Sequence, residues 1–433
     1  MGFFTKKTVR DINLAGKRVL LRADYNVPHK NGQIVDDYRI RQSLPTIEFI
    51  LKQKPAALII ISHLGRPKNN RDTNLSLAPV AKRLAHLLSK EVSIAGDCIG
   101  EAAKKAAADL PAGGILLFEN VRFHSEEEAN DKDFAKAIIE AAGAQVFIQD
   151  GFGVVHRAHA STEAIAKQLP AVAGLLVEKE VNTILGVIKS PKRPLVAVIG
   201  GAKISDKIDV LKYLIDTADC VAVAGALANN FLLAQKIKLG KSLVEPEALD
   251  LTNDILHKVE QTSKVRNFNF LIPVDVVVST AKTGVAPTRL VDIASHTIAD
   301  IQAYPGLPAP SAYEVAPNEI ILDIGPISAA EIAGTIKLAK TIIWNGTCGM
   351  AEVKGIAGAQ APFAHGTRVV AEAAVGAGGS RKPYSLAGGG DTVAYIQSQG
   401  WLEDFDHIST GGGASLELMA GHKLPGLEVL QDK

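Results

Sequence analysis

Short apolar segments that lack polar alternation recur along this chain, and they constrain its fold more than any other feature of the sequence. Most are continuous runs rich in Val, Ile and Leu, which are typical of strands covered on both faces, as in parallel sheets. In the first half of the chain they are RVLLRAD (18–24), ALIIISH (57–63), VSIAGD (92–97), GILLFEN (114–120) and QVFIQD (145–150). In the second half they are LVAVIGG (195–201), CVAVAGA (220–226), FLIPVDVVVS (270–279), IILDIG (320–325), TIIWNG (341–346), YSLAGGGD (384–391) and HISTGGGA (407–414).

Helical patterns lie between these apolar segments. Apolar residues recur at helical spacing in APVAKRLAHLLSK (78–90) and DFAKAIIEAAG (133–143). The segment SDKIDVLKYLIDTA (205–218) begins with a Ser or an Asp that suits a helix N-cap. Strands that alternate with helices predict βα units and an α/β fold with doubly wound parallel sheets.

The length of the chain predicts two domains, because 433 residues exceed what one ordinary hydrophobic core holds. A helical stretch at 175–189 ends at SPKRP (190–194), and a new strand follows. Five of the predicted strands precede this boundary and seven follow it. We therefore expect two lobes, each a doubly wound parallel sheet with helices on both faces, joined by an interdomain helix.

Charge and cysteine content exclude several classes of protein. Lys plus Arg is 47 and Asp plus Glu is 46, so the net charge is close to zero. This argues against a protein that binds nucleic acid through a generally basic surface. No apolar run approaches the roughly 20 residues of a membrane helix, and the first residues lack the apolar core of a signal peptide. The three cysteines are widely spaced and odd in number, which predicts neither a disulfide framework nor a CxxC metal site. We expect a cytoplasmic protein.

The predicted strands of the first half end in basic residues. In open parallel sheets, ligands lie beyond the carboxyl ends of strands. A single Arg after a strand is usually a solvated charge, but several in one lobe predict an anion pocket, since the guanidinium fork donates two hydrogen bonds to phosphate or carboxylate. Asp24 and Asn26 resemble groups that read the hydroxyls of a small polar ligand. The residues at these ends are Arg22, Asp24, Asn26, His63, Arg66, Arg122, His156, Arg157 and His159, and Arg39 follows in DDYRIRQS.

The histidines of this set leave two interpretations open. HRAH (156–159) is compatible with a metal site, although no cysteine or second histidine pair supports one. His63, His156 and His159 more naturally donate hydrogen bonds to an anion or satisfy local backbone groups.

The predicted strands of the second half end in glycine instead: IGGAKISDK, AGALANNF, WNGTCGMAE, AGGGDT and STGGGAS. Glycine lets backbone N–H groups approach a ligand closely, and successive N–H groups form an anion-binding nest. With Lys203, Lys207, Glu352 and Asp391 among them, these segments predict a nucleotide phosphate site. Lys203 and Lys207 are four residues apart, so we expect them to share a helix face at a helix N-terminus, where a bound anion is favourable.

Two common nucleotide motifs are absent. LGKS (239–242) resembles the end of a Walker A motif, but Gln235 stands where the first Gly is required. No G-x-G-x-x-G fingerprint follows the first strand of either half, which argues against a dinucleotide oxidoreductase on the same fold class.

Together these segments resemble the phosphoglycerate kinase family over essentially the whole chain. The matching segments, in order, are LLRADYNVP, DDYRI, SHLGRP, LLFENVRFH, FGVVHRAHAS, IGGAKISDKI, LIPVDVVV, ILDIGP, WNG, GGGDT, STGGGASLELMAG and LPG. The resemblance implies reversible, Mg²⁺-dependent phosphoryl transfer between 1,3-bisphosphoglycerate and ADP in glycolysis and gluconeogenesis. The sequence itself gives no sign of an oligomer interface, so with the charge and apolar content above we expect a monomer that binds neither nucleic acid nor membrane.

The resemblance also implies roles for particular residues. Glu352 would reach the ribose and Asp391 the metal, while Arg39 and Lys203 would flank the transferring phosphoryl group and Gly390 and Gly412 would provide backbone donors. The glycerate ligand would be bound by Asp24, Asn26, Arg39, His63, Arg66, Arg122 and Arg157. The nucleotide would be bound by Lys207, Asn345, Glu352, Gly388, Gly389, Gly390, Asp391 and Thr392.

The domain boundaries that follow from the resemblance are specific. Residues 1–178 would bind 3-phosphoglycerate, 179–192 would form the interdomain helix and hinge, and 193–414 would bind the nucleotide. The tail 415–433 would return to the first domain. Arg39 and Lys203 then lie on different domains, so we expect hinge closure to bring them to one phosphoryl group.

Four positions depart from the family pattern, all on the nucleotide side. Thr347 and Ala351 stand where Pro and Phe are common, and Ala224 and Asn230 stand where Gly and Thr are common. These departures leave the reaction class intact and bear on nucleotide affinity. The alternative to an active enzyme is a catalytically weak nucleotide-binding homologue of the same fold, against which Lys203, Arg39 and Asp391 argue.

Overall fold

The structure is a computed structural model that describes residues 3–30, 32–68, 72–293, 314–356, 361–379 and 381–433. The chain divides into two compact units. The first unit comprises Met1–Leu185, Gly413–Leu418 and His422–Lys433, and the second comprises Gly186–Gly412 and Met419–Gly421.

The first unit is built on a parallel sheet of six strands in the order β5-β6-β4-β1-β7-β8. All five residues of Ala57–Ile61 are buried, because this strand lies between two others near the middle of the sheet. Its strands, with a separate hairpin of β2 and β3, are β1 (Arg18–Arg22), β2 (His29–Lys30), β3 (Gln33–Ile34), β4 (Ala57–Ile61), β5 (Ser93–Ile94), β6 (Gly114–Leu117), β7 (Val146–Gln149) and β8 (Ala171–Ala173).

Helices connect these strands, and their ends follow local sequence signals. In the helix Lys132–Ala142, Asp131 Oδ1 accepts the Phe134 N–H (2.7 Å), and Gly143 takes the left-handed conformation that ends the helix. The α-helices are α1 (Tyr38–Lys52), α2 (Ala78–Leu88), α3 (Gly100–Ala108), α4 (Lys132–Ala142) and α5 (Leu175–Lys189). The division between the two units falls within α5.

The second unit contains a parallel sheet of six strands in the order β11-β10-β9-β15-β16-β17. A separate antiparallel sheet has the order β13-β12-β14. The strands are β9 (Leu195–Ile199), β10 (Cys220–Val223), β11 (Asn269–Leu271), β12 (Asp275–Ser279), β13 (Thr288–Asp292), β14 (Ile320–Ile324), β15 (Thr341–Asn345), β16 (Tyr384–Gly388) and β17 (His407–Ile408). The predicted fold class, two parallel-sheet α/β lobes, is therefore confirmed.

Further α-helices follow α5 in the described part of the chain. They are α6 (Ile208–Thr217), α7 (Gly225–Ala234), α8 (Leu249–Val265), α9 (Pro326–Leu338), α10 (His365–Ala374), α11 (Gly390–Ser398), α12 (Gly412–Met419) and α13 (Pro425–Glu428). Among the described residues, no helix is both long enough and apolar enough to cross a membrane.

Two strand predictions for the second half are wrong. The run 270–279 is not one strand, because Pro273 lacks a backbone N–H and separates β11 from β12. β12 then pairs antiparallel with β14, so the predicted strand 320–325 lies in the small sheet rather than the parallel one. Apolar composition alone did not distinguish these two environments.

Candidate active site

Three arginines predicted as an anion site come together in the first unit. Arg66, Arg122 and Arg157 line one cavity of about 690 Å³, with Lys68 and His159 beside them. They follow β4, β6 and β7, and β1 separates β4 from β7 in the sheet. The carboxyl ends of adjacent parallel strands meet at one edge, which is why residues about 90 positions apart face one cavity.

Arg39, from the first turn of α1, is fixed at the same edge. Its Nη1 donates to Asp24 Oδ2 (2.9 Å) and to the Asn26 carbonyl oxygen (3.2 Å). The Asn26 side-chain oxygen accepts the Gly65 N–H (2.8 Å). Asp24 and Asn26 thus hold Arg39 and the turn before Arg66.

His63 is buried, with 3% of its surface exposed. Burial lowers its pKa well below the usual value, and the charges of Arg22, Arg122, Arg39 and Arg157 lower it further. The ring is therefore neutral near pH 7. Its Nδ1 faces Arg22 Nη2 at 3.2 Å and must accept, which leaves the proton on Nε2. His63 offers an anion a neutral N–H donor and no positive charge.

A buried network behind His63 was missed by the sequence analysis. Arg22 is fully buried and donates through Nε to Ser161 Oγ (2.8 Å). Ser161 Oγ donates to Glu127 Oε1 (2.5 Å), and Glu127 Oε2 accepts the Ser161 N–H (2.9 Å). Glu127 lies in the charged run SEEEAND, which gave no signal of burial, yet it is the counter-charge of Arg22. The network orients the loop after HRAH.

Arg122 has spare hydrogen-bonding capacity toward the cavity. Its Nη1 donates to the Gly65 carbonyl (2.8 Å), and its Nε lies 3.2 Å from Glu128 Oε1. Its Nη2 is buried without a hydrogen-bond partner in the described part of the chain. Unpaired buried donors are rare in native proteins, so this nitrogen is consistent with an anion ligand.

The histidines of HRAH are also neutral. Burial, followed by the charge of Arg157, lowers the pKa of His156 to about 4. Burial, followed by the charge of Arg122, lowers the pKa of His159 to about 4. His156 Nε2 accepts from Arg157 Nε (3.2 Å). This hydrogen bond places His156 within the arginine cluster, and His159 lines the same cavity as Arg122 and Arg157.

The group Asp97, Cys98 and His124 is the one set of three potential metal-ligating side chains found among the described residues. Asp97 Oδ1 already meets His124 Nε2 at 2.7 Å and accepts the Cys98 N–H at 2.6 Å. These hydrogen bonds explain why the three side chains lie close together without a metal ion.

In the second unit Lys207 is enclosed at the ends of β9 and β15. Its Nζ donates to the Gly200 carbonyl and to Asn345 Oδ1 (2.9 Å). Burial lowers its pKa to about 8, although the charges of Asp206 and Asp391 act in the opposite direction. The ammonium group is thus held at the strand ends, with fewer water contacts than a surface lysine.

Asn345 and the loop after β16 lie against this lysine. Asn345 Nδ2 is buried without a hydrogen-bond partner among the described residues. Gly389 has φ +95°, and a Cβ atom there would lie 3.3 Å from Asn345 Oδ1. Thr392 Oγ1 accepts the Gly346 N–H (2.8 Å), which ties α11 to the end of β15.

Glycine is the first residue of two neighbouring helices. Gly390 is the first residue of α11 and Gly412 the first of α12. A Cβ atom on Gly412 would lie 3.3 Å from Gly389 Cα and 3.8 Å from Gly390 N. The N-termini of two helices therefore lie close together, and the positive ends of their dipoles favour an anion there.

Glu352 and Asp391 line a cavity of about 230 Å³ whose walls include Gly201, Gly225 and Leu322. Both carboxylates are exposed. An exposed carboxylate at the start of α11 is a hard oxygen ligand of the kind that Mg²⁺ takes together with phosphate oxygens and water. The donor set at Asp391 thus fits a magnesium ion bound mainly through a nucleotide.

Lys203 does not share a helix face with Lys207, so that prediction is wrong. Lys203 is exposed and precedes a short 3₁₀-helix (Ser205–Lys207), while Lys207 stands at the N-cap of α6. Neither Ser205 nor Asp206 caps α6 as predicted, because a 3₁₀-helix that contains both residues precedes it. The Glu245 carboxylate accepts the N–H groups at the start of that 3₁₀-helix.

The four departures from the family pattern lie around the second cavity or behind it. Thr347 lines the cavity, and its carbonyl accepts the Gly201 N–H (3.2 Å). Ala351 donates its N–H to the Gly349 carbonyl (2.9 Å). Ala224 precedes α7, and Asn230 is buried within that helix.

The comparisons with known proteins agree in one family. The family model described as phosphoglycerate kinase matches residues 9–422. A phosphoglycerate kinase of Pelotomaculum thermopropionicum is 43% identical over 428 residues, covering 99% of this chain and 100% of the relative. One from a Roseiflexus species is 44% identical over 429 residues, covering 99% of both chains.

Solved structures of the same family are similar throughout. Phosphoglycerate kinase of Coxiella burnetii superposes with a TM-score of 0.76 at 35% identity, covering 98% of both chains. That of Pyrococcus horikoshii OT3 gives a TM-score of 0.77 at 28% identity, again covering 98% of both chains. The matches span both parallel-sheet units, and the chain therefore belongs to the phosphoglycerate kinase family.

Proposed function

We propose that this chain catalyses reversible phosphoryl transfer between 1,3-bisphosphoglycerate with ADP and 3-phosphoglycerate with ATP. Family membership makes it a phosphotransferase that uses a carboxyl group as acceptor. One observation carries the assignment of ligands: an arginine-lined cavity forms in the first unit, and a cavity lined by glycines and by the acidic residues Asp323, Glu352 and Asp391 forms in the second. No observation favours the catalytically weak alternative.

On the glycerate side, each residue has a distinct task. Arg66, Arg122 and Arg157 bind the phosphate and carboxylate oxygens of 3-phosphoglycerate, with His63 Nε2 as a neutral donor. Asp24 and Asn26 read the hydroxyl group and hold Arg39, which faces the transferring phosphoryl group.

On the nucleotide side, Lys207 and Asn345 bind the phosphates together with the backbone of the Gly388–Thr392 loop, and Glu352 binds the ribose. The buried Asn345 Nδ2 supports this role, because a phosphate oxygen would give it the partner that it lacks. Asp391 would hold Mg²⁺, which neutralises phosphate charge when bound.

The chemistry requires no protein nucleophile. A carboxylate oxygen of 3-phosphoglycerate forms a bond to the γ-phosphorus of ATP as the bond to the bridging oxygen breaks, and ADP leaves with that electron pair. The protein positions the two oxygens in line and stabilises the equatorial charge. We assign this stabilisation to Arg39, Lys203 and the N–H groups at Gly390 and Gly412.

A coupled spectrophotometric assay tests the proposal directly. We expect 3-phosphoglycerate-dependent consumption of ATP that needs Mg²⁺ and stops with EDTA. A protein that binds ATP but gives no turnover with 3-phosphoglycerate would contradict it. We further propose that the protein is cytoplasmic and monomeric. Sedimentation of the purified protein checks the monomeric state.

The assignment of Arg39 and Lys203 to different domains predicts closure. The reacting oxygen and phosphorus atoms must approach to roughly 3–3.5 Å, and water must be excluded from them. We therefore expect α5 and SPKRP (190–194) to act as the hinge. The radius of gyration from solution scattering should fall when 3-phosphoglycerate, Mg²⁺ and a non-hydrolysable ATP analogue are all present. An unchanged radius would contradict the hinge.

The pKa of Lys207 predicts how nucleotide affinity depends on pH. In the free enzyme this pKa is about 8, and a bound phosphate raises it by favouring the ammonium form. The contribution of Lys207 to ADP affinity should therefore be constant below pH 8 and be lost above it, by at most about tenfold in affinity per pH unit. Calorimetric titration from pH 6.5 to 9.5 measures this.

Two variants control for other titrating groups. Lys207→Ala should weaken ADP binding and remove the fall above pH 8. Lys207→Arg should retain binding without the fall, since the guanidinium does not titrate in this range. A fall that persists in both variants would show that another group titrates.

A further inference from the structure

The loop that carries Lys203 is anchored by a distant carboxylate. Glu245 Oε2 accepts the N–H groups of Ile204 (2.6 Å) and Ser205 (3.1 Å). Its Oε1 accepts from Ser205 Oγ (2.7 Å). These N–H groups lie at the start of the 3₁₀-helix, where a helix has no partners of its own. The Glu245 side chain thus holds the two residues directly after Lys203.

Glu245 is itself fixed by the core of the second unit. The buried Asn230 donates through Nδ2 to the Glu245 carbonyl (2.8 Å) and accepts the Glu245 N–H on Oδ1 (3.2 Å). Asn230 lies on α7, which follows β10 of the parallel sheet. A chain of hydrogen bonds therefore runs from the helix through Glu245 to the loop of Lys203.

The charge of Glu245 also reaches this loop. Burial alone would raise the pKa of Glu245, but hydrogen bonds from Ser205 and Ile204 and the positive charge of Lys203 outweigh it, so the pKa lies below its usual value. The carboxylate is therefore ionised near neutral pH, and its charge attracts Lys203. The two side chains do not form a direct ion pair, so the ammonium group stays available to a ligand.

We infer that Glu245, held by Asn230, is a positioning residue for Lys203 in phosphoryl transfer. This rests on the proposed function, in which Lys203 stabilises the transferring group. Lys203 is exposed, on a stem of four methylene groups, so its aim depends on the backbone beneath it. A displacement of about 1 Å costs up to about 10²-fold in rate in preorganised sites.

The test is the kinetics of Glu245→Ala. We expect kcat to fall by about 10- to 100-fold, with KM for 3-phosphoglycerate unchanged because that site lies on the first unit. Glu245→Gln retains one acceptor oxygen and should be intermediate. Asn230→Ala should lower kcat in the same direction by releasing the Glu245 backbone.

Asp406→Ala is the matched control. Asp406 Oδ2 also accepts a backbone N–H and a hydroxyl, both from Ser385 (2.9 and 3.1 Å). Ser385 is the second residue of β16, so it lies at the amino ends of the strands, whereas the candidate site lies at their carboxyl ends. Asp406→Ala should therefore leave kcat near the wild-type value. Equal kcat losses in Asp406→Ala and Glu245→Ala would overturn the inference, since both would then reflect general stability.

A double-mutant cycle separates positioning from structure. If Glu245 acts through Lys203, Glu245→Ala should have little further effect on kcat in a Lys203→Ala background. Full additivity would overturn the inference. Wild-type turnover with an unaffected Glu245→Ala would refute this inference alone, whereas absence of wild-type turnover would refute the proposed function.

Discussion

Lys203→Ala should lower the turnover number by at least about 10²- to 10³-fold while the protein remains folded. Removing one preorganised donor aimed at transition-state charge typically has an effect of this size. Lys203 is exposed, so its loss leaves no cavity and should not change the thermal midpoint substantially. Steady-state kinetics with both substrates saturating, beside a thermal melt, measure the two quantities.

Two further variants make that result specific. Lys203→Arg keeps a positive charge with different geometry and should recover only part of the turnover. Lys241→Ala removes an exposed lysine of the same unit and should have almost no effect. Near-normal turnover in Lys203→Ala would exclude this residue from the mechanism, and with it the inference about Glu245.

Arg66→Ala should weaken 3-phosphoglycerate binding by about one to two orders of magnitude. A charge-assisted hydrogen bond contributes roughly 1.5–3 kcal/mol, which corresponds to about that range in the dissociation constant. Arg66 lines the first cavity and is exposed. Its side chain is therefore available to a ligand, and nucleotide affinity should be nearly unchanged. Calorimetric titration of each substrate separately measures both.

Arg41→Ala is the control for that measurement. Arg41 lies on the same unit, on α1, and pairs with Asp37 at 2.8 Å in an exposed ion pair. Such pairs contribute little to stability, so this variant should bind 3-phosphoglycerate normally. If Arg66→Ala also binds it normally, Arg66 is a solvated charge at the end of β4.

The fold was largely predictable because its signals are local. A strand buried on both faces needs an uninterrupted apolar run, and Ala57–Ile61 is buried in full. The errors arose where environment rather than composition decides. Asp275–Ser279 and Ile320–Ile324 are rich in Val and Ile like the strands of the parallel sheet, yet they pair antiparallel in a separate sheet. Apolar content records burial but not which strand is the partner.

The candidate site was predictable to a similar extent and for a related reason. Arginines after strands and glycines after strands indicate anion binding through residue chemistry alone. The sequence could not show that His63 is neutral, since that depends on its burial and on four surrounding arginines. Nor could it show that Lys207 has a pKa of about 8, which results from enclosure by Gly200 and Asn345.

Residue identity and local spacing by themselves indicated the βα repeat and the anion-binding character of the strand ends, and the resemblance of the motif segments indicated the family. Only the tertiary structure decided which side chains support these strand ends. Glu127 and Glu245 occur in charged or loop segments that read as solvent-exposed, yet each accepts hydrogen bonds from a backbone about 34–41 residues away. Such partners have no sequence signature, because a carboxylate gains its role from the unpaired N–H groups that the fold brings to it.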